Sequence, residues 1–367
     1  MAGARLTRDQ EPVSDDELEA LFAPLREAKH ILVAVSGGPD SVAALHLLGR
    51  WQKRSAHDVL VSAATVDHQL RGPQSAREAT DVAQVSATMG VAHATLDWQG
   101  EKPSAGLPAA ARDARYSLLL CHAARISATH LVTGHTLDDQ AETLLMRMSR
   151  GSGLTGLGGM RATVERGAVL HVRPFLTLAK ARLVATCHAA SLPFAVDPTN
   201  ANLAFARPRW RRLLPELASE GLDSSRFGTL ARRLARADQA LSQRAKAVFA
   251  ESSMTHEVGS LMLDSGFLTQ EPAEIALRVL SLALGAVAPA CSGVQHDARL
   301  NRLESCLEVL SAAALAGLAT QRTLQNCTLK LTARGELRIV QAPARRRGIN
   351  ENTLQPRASL GKAAGGA

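Results

Sequence analysis

Six residues, Ser36 to Ser41, carry the clearest chemical signal in the chain; their sequence is SGGPDS. They follow the apolar run 31–35 and precede residues with apolar side chains at helical spacing. A buried strand that leads through a glycine-rich turn into a helix directs backbone N–H groups and hydroxyls at one small volume, which suits a phosphate or pyrophosphate. The Gly-Lys-Ser/Thr ending of a Walker loop is absent. A simpler interpretation is a strand–helix turn in which Asp40 or Ser41 caps the helix.

A second group of reactive side chains lies in residues 133–143, whose sequence is TGHTLDDQAET. On a helical wheel, Asp138, Asp139 and Glu142 fall beside one another. Three neighbouring carboxylates repel each other unless a cation such as Mg²⁺ or a substrate ammonium joins them. An acidic helix start stabilised by the helix dipole explains the two aspartates, but not the glycine and histidine before them. The neighbouring face is expected to be an apolar stripe made of Ala141, Leu144, Leu145 and Met148.

Basic side chains occur in three further segments. His68 and Arg71 follow a second apolar run, Arg112 and Arg115 lie three residues apart on one predicted helix, and Arg150 opens a glycine-rich stretch. Guanidinium groups are suited to clamping polyanions. Taken singly, His68 is more typical of a loop histidine and the two helical arginines of a surface ion-pair patch, and the simpler interpretation of the glycine-rich stretch is a flexible linker. Their position beside a phosphate loop favours a polyanion site.

The elements that must position these residues alternate along the chain. Predicted strands at 31–35, 59–66, 91–96 and 130–133 are separated by helical patterns near 40–50, 75–89 and 108–127. Alternation of this kind predicts an α/β fold with a parallel, doubly wound sheet covered on both faces. Ligands of such sheets bind at the carboxyl ends of the strands, and the loop, His68 and the 133–143 segment all follow strand ends.

The pattern changes after about residue 200. Between residues 207 and 246 there are ten Lys or Arg residues against four Asp or Glu, within an overall formal charge of +8. This surplus indicates either a nucleic-acid surface or a solvated helix face. The remaining elements predicted are helices over 207–253, 271–285 and 297–316, and a hairpin of 323–332 and 337–340 across Arg334-Gly335.

Composition excludes several classes of protein. Hydrophobic residues make up 46% and charged residues 21%, an ordinary globular balance, and no apolar run is long enough to span a membrane. The N-terminus lacks the apolar core of a secretory signal. The five cysteines are scattered and include no C-x-x-C pair, so we expect neither a disulfide framework nor a zinc site, but thiols in a reducing cytoplasm.

Five ordered motifs together resemble the tRNA(Ile)-lysidine synthases of the ATP pyrophosphatase superfamily. They are SGGPDS, VDHQLRG, ARDARY, TGHTLDDQAETLLMRMSRGSG and DPTN followed by arginines, and they cover roughly residues 30–215. The resemblance implies an adenine nucleotide alpha hydrolase-like, HUP-type sheet, followed by a mostly helical region and a small C-terminal α+β part. It implies four parts: a flexible lead-in at 1–25, a catalytic domain at 26–205, a tRNA-binding helical and C-terminal region at 206–341, and a disordered tail at 342–367.

The resemblance also implies an activity. ATP would adenylate the C2 oxygen of the wobble cytidine in the CAU anticodon of a minor isoleucine tRNA, with release of pyrophosphate. The ε-amine of L-lysine would then displace AMP. ATP and Mg²⁺ are the implied cofactors, and tRNA(Ile) and lysine are the implied partners. The sequence leaves the oligomeric state open, and a homodimer is compatible with it.

Residue roles follow from the same resemblance. Asp40 and Asp139 would bind Mg²⁺, Asp139 and Glu142 would bind lysine, and a carboxylate or His135 would accept the proton of its amine. The choice between Asp138 and Asp139 stays open. Arg112 and Arg115 would stabilise charge on the phosphates. The loop residues implied to hold ATP are Ser36, Gly37, Gly38, Pro39, Asp40 and Ser41. The arginines implied to bind tRNA are Arg71, Arg150, Arg207, Arg209 and Arg211.

Two alternatives are a tRNA cytidine thiolase of the same superfamily and a non-catalytic RNA-binding relative. A thiolase generally needs paired cysteines or an iron–sulfur site, for which the cysteine spacing gives no sign. A decayed, non-catalytic relative is disfavoured by the intact loop and acidic residues.

Overall fold

The computed structural model describes residues 10–55, 58–70, 72–195, 202–287 and 296–342. Its backbone contacts divide the chain into two compact units, Met1–Ala240 and Leu241–Ala367. The division falls later in the chain than the predicted boundary between 205 and 206. The cause is that helical residues after 206, which we assigned to the second region, pack within the first unit.

A six-stranded sheet forms the centre of the first unit. Its strands are β1 (His30–Ala34), β2 (Leu60–Asp67), β3 (Ala92–Asp97), β4 (His130–Thr133), β5 (Thr163–Arg166) and β6 (Val169–Val172). The spatial order is β3-β2-β1-β4-β6-β5, and every pair is parallel except β5 with β6. The predicted parallel α/β sheet is therefore confirmed, and its antiparallel edge hairpin is an addition that the periodicity did not reveal.

Nine helices among the described residues belong wholly or partly to this unit. They are α1 (Asp15–Leu21), α2 (Pro39–Ser55), α3 (Pro73–Thr88), α4 (Leu107–Arg125), α5 (Leu137–Met148), α6 (Leu154–Leu157), α7 (Lys180–Ala189), α8 (Ala206–Ser219) and α9 (Ser224–Ser252). The last of them continues into the second unit.

The first strand shows why the sheet is covered on both faces. Ile31, Leu32 and Val33 are all fully buried, as expected for a strand of a parallel sheet. Ile31 and Val33 belong to one apolar cluster, which contains Trp51 of α2, whereas Leu32 belongs to another, which contains Leu119 of α4. Strand alternation thus places α2 and α4 on opposite faces and leaves the strand ends open between them.

The predicted flexible lead-in at 1–25 is wrong for its helical part. In and just after α1, Leu18 and Phe22 are fully buried in the core of the first unit. The guanidinium of Arg182 in α7 donates to both carboxylate oxygens of Glu17, at 2.7 and 2.8 Å. Apolar burial and this ion pair fix the segment to the domain.

The second unit is an α+β structure, as predicted. Its antiparallel sheet has the order β7-β8-β11-β10-β9. The strands are β7 (Ser253–Glu257), β8 (Ser260–Asp264), β9 (Thr320–Leu324), β10 (Cys327–Leu331) and β11 (Glu336–Gln341). Its further helices are α10 (Phe267–Gln270), α11 (Ala273–Val287) and α12 (His296–Leu315).

One predicted strand in this unit is wrong. Residues 323–332 do not form a single strand, because Gln325 and Asn326 adopt positive φ angles of 51° and 60° and make a tight turn between β9 and β10. The hairpin across Arg334-Gly335 is confirmed as β10 and β11, with Gly335 at a φ of 85°. Residues 343–367 of the predicted tail lie outside the described residues. None of the described helices combines the length and apolar content needed to cross a bilayer.

Candidate active site

The SGGPDS loop connects β1 to α2 and is held by its own hydroxyl groups. The backbone N–H of Ser36 donates to Ser41 Oγ at 3.0 Å, and this hydroxyl donates to the carbonyl of Gly38 at 2.9 Å. Gly37 has a φ of 81°, a conformation that favours glycine. Ser41 is buried and Ser36 is exposed, so one side of the loop packs against the protein and the other side faces solvent.

The end of β4 packs directly against this loop. A Cβ atom added to Gly134 would lie 2.6 Å from the carbonyl oxygen of Asp40 and 3.1 Å from the amide nitrogen of Ser41. Only glycine leaves room for the loop backbone at that point. The close approach accounts for the glycine in the TGH motif and brings His135 and α5 to the edge of the loop.

Asp40 is the acidic residue of the loop and has two different carboxylate oxygens. Its Oδ2 forms an ion pair with Nζ of Lys180, the first residue of α7. Its Oδ1 is buried and has no hydrogen-bond partner among the residues that the structure describes. Burial raises the pKa of Asp40, and the charges of Asp139 and Asp138 add to the effect, while Lys180 opposes it. Such an oxygen requires a ligand, because an unpaired buried acceptor is costly.

The first turn of α5 separates the roles of its two aspartates. Asp138 accepts hydrogen bonds on both oxygens, from the backbone N–H of Lys180 at 2.7 Å and from Ser224 Oγ at 3.4 Å. Asp139 uses only Oδ2, which accepts from the backbone N–H of Thr136 at 2.9 Å in a capping box. Asp138 thus fixes the start of α7, whereas Oδ1 of Asp139 has no hydrogen-bond partner among the described residues.

Ionisation of Asp139 is favoured despite its surroundings. Burial opposes it, but the hydrogen bonds from Thr136 and the positive charges of neighbouring groups such as Arg207 outweigh burial and lower the pKa. A carboxylate held in the charged form is suited to bind a cation. The predicted apolar stripe of α5 is wrong in one member, because Met148 is half exposed while Ala141, Leu144 and Leu145 are buried.

Glu142 is almost fully buried one turn further along α5. Its Oε1 accepts a hydrogen bond from Nε of Arg211 in α8 at 2.7 Å, and Nε of Arg207 lies 4.0 Å from Oε2. Oε2 accepts no hydrogen bond within the described part of the chain. Burial raises the pKa of Glu142, and Arg211 opposes this change. Glu142 thus resembles Asp40 in presenting one paired and one unpaired oxygen.

The two arginines of the ARDARY helix lie on α4 and point to different partners. Arg115 donates to Nε2 of His68, at 3.3 and 3.4 Å. The Arg112 guanidinium lies 5.2 Å from the ring centroid of Tyr116. Burial lowers the pKa of Arg115 and brings that of His68 to about 4, so this histidine is neutral at pH 7. Arg115, and not His68, therefore supplies the positive charge at this position.

His135 is connected to a second histidine through a threonine hydroxyl. Its Nδ1 is 2.8 Å from Thr133 Oγ1, which is also 2.9 Å from Nε2 of His171 on β6. Burial lowers the pKa of His135 to about 4 and that of His171 to about 2. Arg173, just after β6, is buried and keeps an unpaired Nε.

The glycine-rich stretch after α5 is tied down rather than free. Arg147 donates to the carbonyls of Gly156 and Gly159, at 2.5 and 2.8 Å. Gln140 exchanges two hydrogen bonds with the backbone of Met160, at 2.6 and 2.8 Å. Both side chains come from α5, so the helix that carries the acids also positions this loop. The flexible-linker interpretation is wrong for these residues.

The predicted tRNA contacts divide into three groups. Arg71 lies outside the described residues, as does the DPTN segment. Arg150 and Arg209 are exposed. Arg207 and Arg211 reach Glu142 instead of projecting only into solvent. The structure thus brings together the loop, the 138–142 acids, His135 and two of the basic residues that sequence reasoning had assigned to RNA.

Sequence reasoning missed three residues of this site: Lys180, His171 and Arg173. Arg173 opens a short motif, Arg-Pro-Phe-Leu, that stood out without an assigned role. Lys180 lies 140 residues from Asp40 in the sequence, and no local pattern marked it. Only the fold brings it to the loop.

The described residues also fit a magnesium ion. No group of three described His, Cys, Asp or Glu side chains is arranged to hold a metal ion alone. Mg²⁺ in nucleotide sites is commonly bound by one or two carboxylates together with phosphates. Asp40, with a buried unpaired oxygen, and Asp139, with a free one, fit that requirement.

A parallel sheet with this loop after its first strand defines a nucleotide-binding protein of the ATP pyrophosphatase class. A family profile described as "PP-loop domain" matches residues 10–217. Membership of this class implies the use of ATP. The fold is also similar to a solved U34-tRNA thiolase from Methanococcus maripaludis that contains a [4Fe-4S] cluster. That similarity has a TM-score of 0.52 and 16% identity and covers 60% of this chain and 76% of that one. At such an identity it supports the fold alone.

Curated relatives narrow the assignment. A tRNA(Ile)-lysidine synthase from Bradyrhizobium diazoefficiens is 42% identical over 92% of this chain and 97% of its own length. One from Bradyrhizobium sp. strain BTAi1 is 44% identical over 93% and 98%. The chain belongs to the tRNA(Ile)-lysidine synthase family, which confirms the resemblance. The enzymes of this family are ligases that form a C–N bond. The thiolase alternative is not favoured: the described cysteines are all free, and three of the four are buried.

Proposed function

We propose that this protein ligates L-lysine to C2 of the wobble cytidine in the CAU anticodon of a minor isoleucine tRNA, in the cytoplasm. ATP would activate the cytidine oxygen, and AMP and pyrophosphate would be released. The observation that carries the proposal is the SGGPDS loop with Asp40 Oδ1 buried and unpaired beside Asp139. Similarity to lysidine synthases over almost the whole chain supports it.

The loop would bind the phosphates. Ser36 is exposed at the open side of the loop, and the N-terminus of α2 adds a favourable dipole for an anion. Asp40 and Asp139 would hold Mg²⁺, which would neutralise phosphate charge when bound. Arg112 and Arg115 would stabilise negative charge as pyrophosphate leaves.

Lysine binding is assigned to the acids of α5. Asp139 and Glu142 would hold the ammonium group, and an amine must lose a proton before it attacks C2. Glu142 suits the role of acceptor, because burial raises its pKa and so makes the carboxylate a stronger base, an effect that Arg211 opposes. The nitrogen then forms the bond to C2, and the bond from C2 to the adenylated oxygen breaks with release of AMP.

Unmodified isoleucine tRNA, ATP, Mg²⁺ and isotopically labelled lysine provide the test. We expect nucleoside mass spectrometry to detect labelled lysidine in stoichiometric relation to AMP. Asp40→Asn should reduce both products at least about a hundredfold while leaving tRNA affinity within a few-fold, because the carboxylate acts on the metal and phosphates.

Asp16→Asn is the matched control, since this side chain is 92% exposed on α1 and far from the loop in the sequence. Wild-type turnover in Asp40→Asn, or a product other than lysidine from the wild-type protein, would refute the proposal.

A further inference from the structure

A continuous hydrogen-bond chain runs from His171 of β6 through Thr133 of β4 to His135, two residues after β4. His171 Nε2 lies 2.9 Å from Thr133 Oγ1, and this oxygen lies 2.8 Å from His135 Nδ1. His171 is completely buried and Thr133 is 8% exposed. The two imidazole rings and the threonine hydroxyl can each donate or accept. The direction of these hydrogen bonds therefore depends on the partners of His171 Nδ1.

Two arginines fix that end. Nε of Arg166 lies 3.3 Å from His171 Nδ1, and Nη2 of Arg173 lies 3.2 Å from the same atom. A guanidinium group has donors only, so His171 Nδ1 must be an unprotonated acceptor. The neutral ring then carries its proton on Nε2 and donates it to Thr133. Full burial and the two neighbouring positive charges keep His171 in the neutral form, with a pKa of about 2.

The direction then passes to His135. The hydroxyl of Thr133 has one proton, and its oxygen accepts from His171. Donation of this proton to His135 Nδ1 uses the hydroxyl fully and completes the chain. In this arrangement the neutral His135 ring is protonated on Nε2. Within the part of the chain that the structure describes, Nε2 makes no hydrogen bond, while the ring lies in the field of Asp139, Arg112 and Arg207.

We infer that His135 is a fixed hydrogen-bond donor whose Nε2–H binds a negatively charged oxygen of the reactants, and that Thr133 and His171 are its positioning residues. The oxygen belongs to an ATP phosphate, where negative charge increases as pyrophosphate leaves during adenylation, and only this assignment rests on the proposed function. The proton of the lysine amine must accordingly go to a carboxylate, because the available nitrogen of His135 already carries one.

The tautomer can be measured without any substrate. In protein labelled with ¹⁵N-histidine, two-bond ¹H–¹⁵N spectra at neutral pH distinguish the two neutral tautomers and the cation. His135→Gln identifies the His135 signals. We expect an unprotonated Nδ1 and a protonated Nε2 in the wild-type protein. A cationic ring, or a proton on Nδ1, would overturn the inference whatever the fate of the proposed reaction.

Substitutions at Thr133 test the positioning. Thr133→Val removes the hydroxyl at nearly constant volume, whereas Thr133→Ser keeps it. We expect Thr133→Val to give mixed tautomers of His135 and a ten- to hundredfold slower single-turnover adenylation, roughly the effect of losing one oriented donor. Thr133→Ser should stay within about threefold of wild type in the same assay. Equal rates in the two variants would contradict a role for the chain of hydrogen bonds.

A second pair of variants does not depend on Thr133. His135→Gln can donate from its amide near the position of Nε2 but cannot take up a proton, whereas His135→Ala can do neither. We expect His135→Gln to be at least about tenfold faster than His135→Ala, and equal rates would contradict the donor role. Loss of ATP affinity without tRNA would identify a phosphate oxygen already charged in bound ATP, and loss of the adenylation rate at saturating ATP would identify one whose charge increases as pyrophosphate leaves.

Discussion

Carboxylates at the carboxyl edge of the sheet lie beside cations that come from other elements. Asp40 on α2 contacts Lys180 on α7, and Glu142 on α5 contacts Arg211 on α8. In both acids the second oxygen is buried and accepts no hydrogen bond from the described residues. Half-satisfied carboxylates of this kind are costly to fold but leave a strong acceptor for an incoming cation. The pattern is therefore expected of a site that binds Mg²⁺ or an ammonium group.

Lys180 provides a prediction at the scale of one residue. Its ammonium group is the cation next to the only acid of the loop, so Lys180→Met leaves the carboxylate of Asp40 to repel the phosphates of ATP. We expect the Kd for ATP, measured calorimetrically without tRNA, to rise about tenfold, or ~1.4 kcal/mol. Lys180→Arg keeps the charge and should stay within about threefold.

Lys53→Met is the control for this measurement, because Lys53 is exposed in the last turn of α2 and its removal changes the net charge equally. Equal ATP affinity in the two methionine variants would show that Lys180 does not support phosphate binding.

The residues that could be found from the sequence share one property: they lie close to one another along the chain. Ser36 to Ser41 form one turn, and Asp139 and Glu142 lie on one turn of a helix. Lys180 could not be found in this way, because it lies in a helix of mixed composition that is distant from the loop in the sequence. The roles of Arg207 and Arg211 were also hidden, since a helical wheel shows a basic face but not the buried glutamate that it meets.

At the scale of elements, the end of β4 and the start of α2 set the geometry of the loop. Their contact depends on Gly134, where a Cβ would come within 2.6 Å of the Asp40 carbonyl oxygen. Backbone cannot move aside as a flexible side chain can. The separation of β4 from the loop therefore determines where Asp40 and His135 stand relative to each other.

Gly134→Ala should displace the loop. We expect a loss of about 1–3 kcal/mol in the free energy of unfolding, as for overpacked sites, and ATP binding weakened at least about tenfold. Urea denaturation and ATP titration measure the two effects. The control is Gly49→Ala on α2, where an added Cβ meets nothing within 4 Å and alanine should stabilise the helix by up to ~1 kcal/mol. Similar behaviour of the two variants would contradict the proposed close approach of β4 to the loop.

Periodicity predicted β1 to β4 because each is a short apolar run between helical patterns. It did not predict β5 and β6, which have only four residues each. It also missed α1, because a mixed charged segment such as Asp15–Leu21 is stabilised by tertiary contacts, including the ion pair of Glu17 with Arg182. Short elements at the edge of a domain depend on partners that local sequence does not specify.

At the scale of the whole molecule, the order of the motifs predicted the family, while the division into units was beyond the sequence. Residues Phe227 and Ala231 of α9 pack with Leu144 of α5, so helices that read as a separate basic region complete the core of the first unit. The periodicity of these helices indicates an apolar face, but it does not indicate the helix against which this face packs. The arginines on the outward side remain available for an anionic surface.

The basic surface of α8 and α9 leads to a prediction about tRNA binding. Arg212, Arg232 and Arg233 are exposed, and none has an acidic partner among the described residues. Replacing all three with glutamine should weaken binding of unmodified tRNA(Ile) and reduce the slope of log K against log salt concentration by about 0.7–0.9 for each phosphate that the protein no longer neutralises. ATP affinity without tRNA should not change.

The control removes three arginines that already pair with acids of α1: Arg26, Arg50 and Arg54. Their replacement lowers the net charge equally, so a purely long-range effect of charge would give the same slope in both variants. A smaller slope only in the first variant assigns the effect to direct binding of phosphates by α8 and α9.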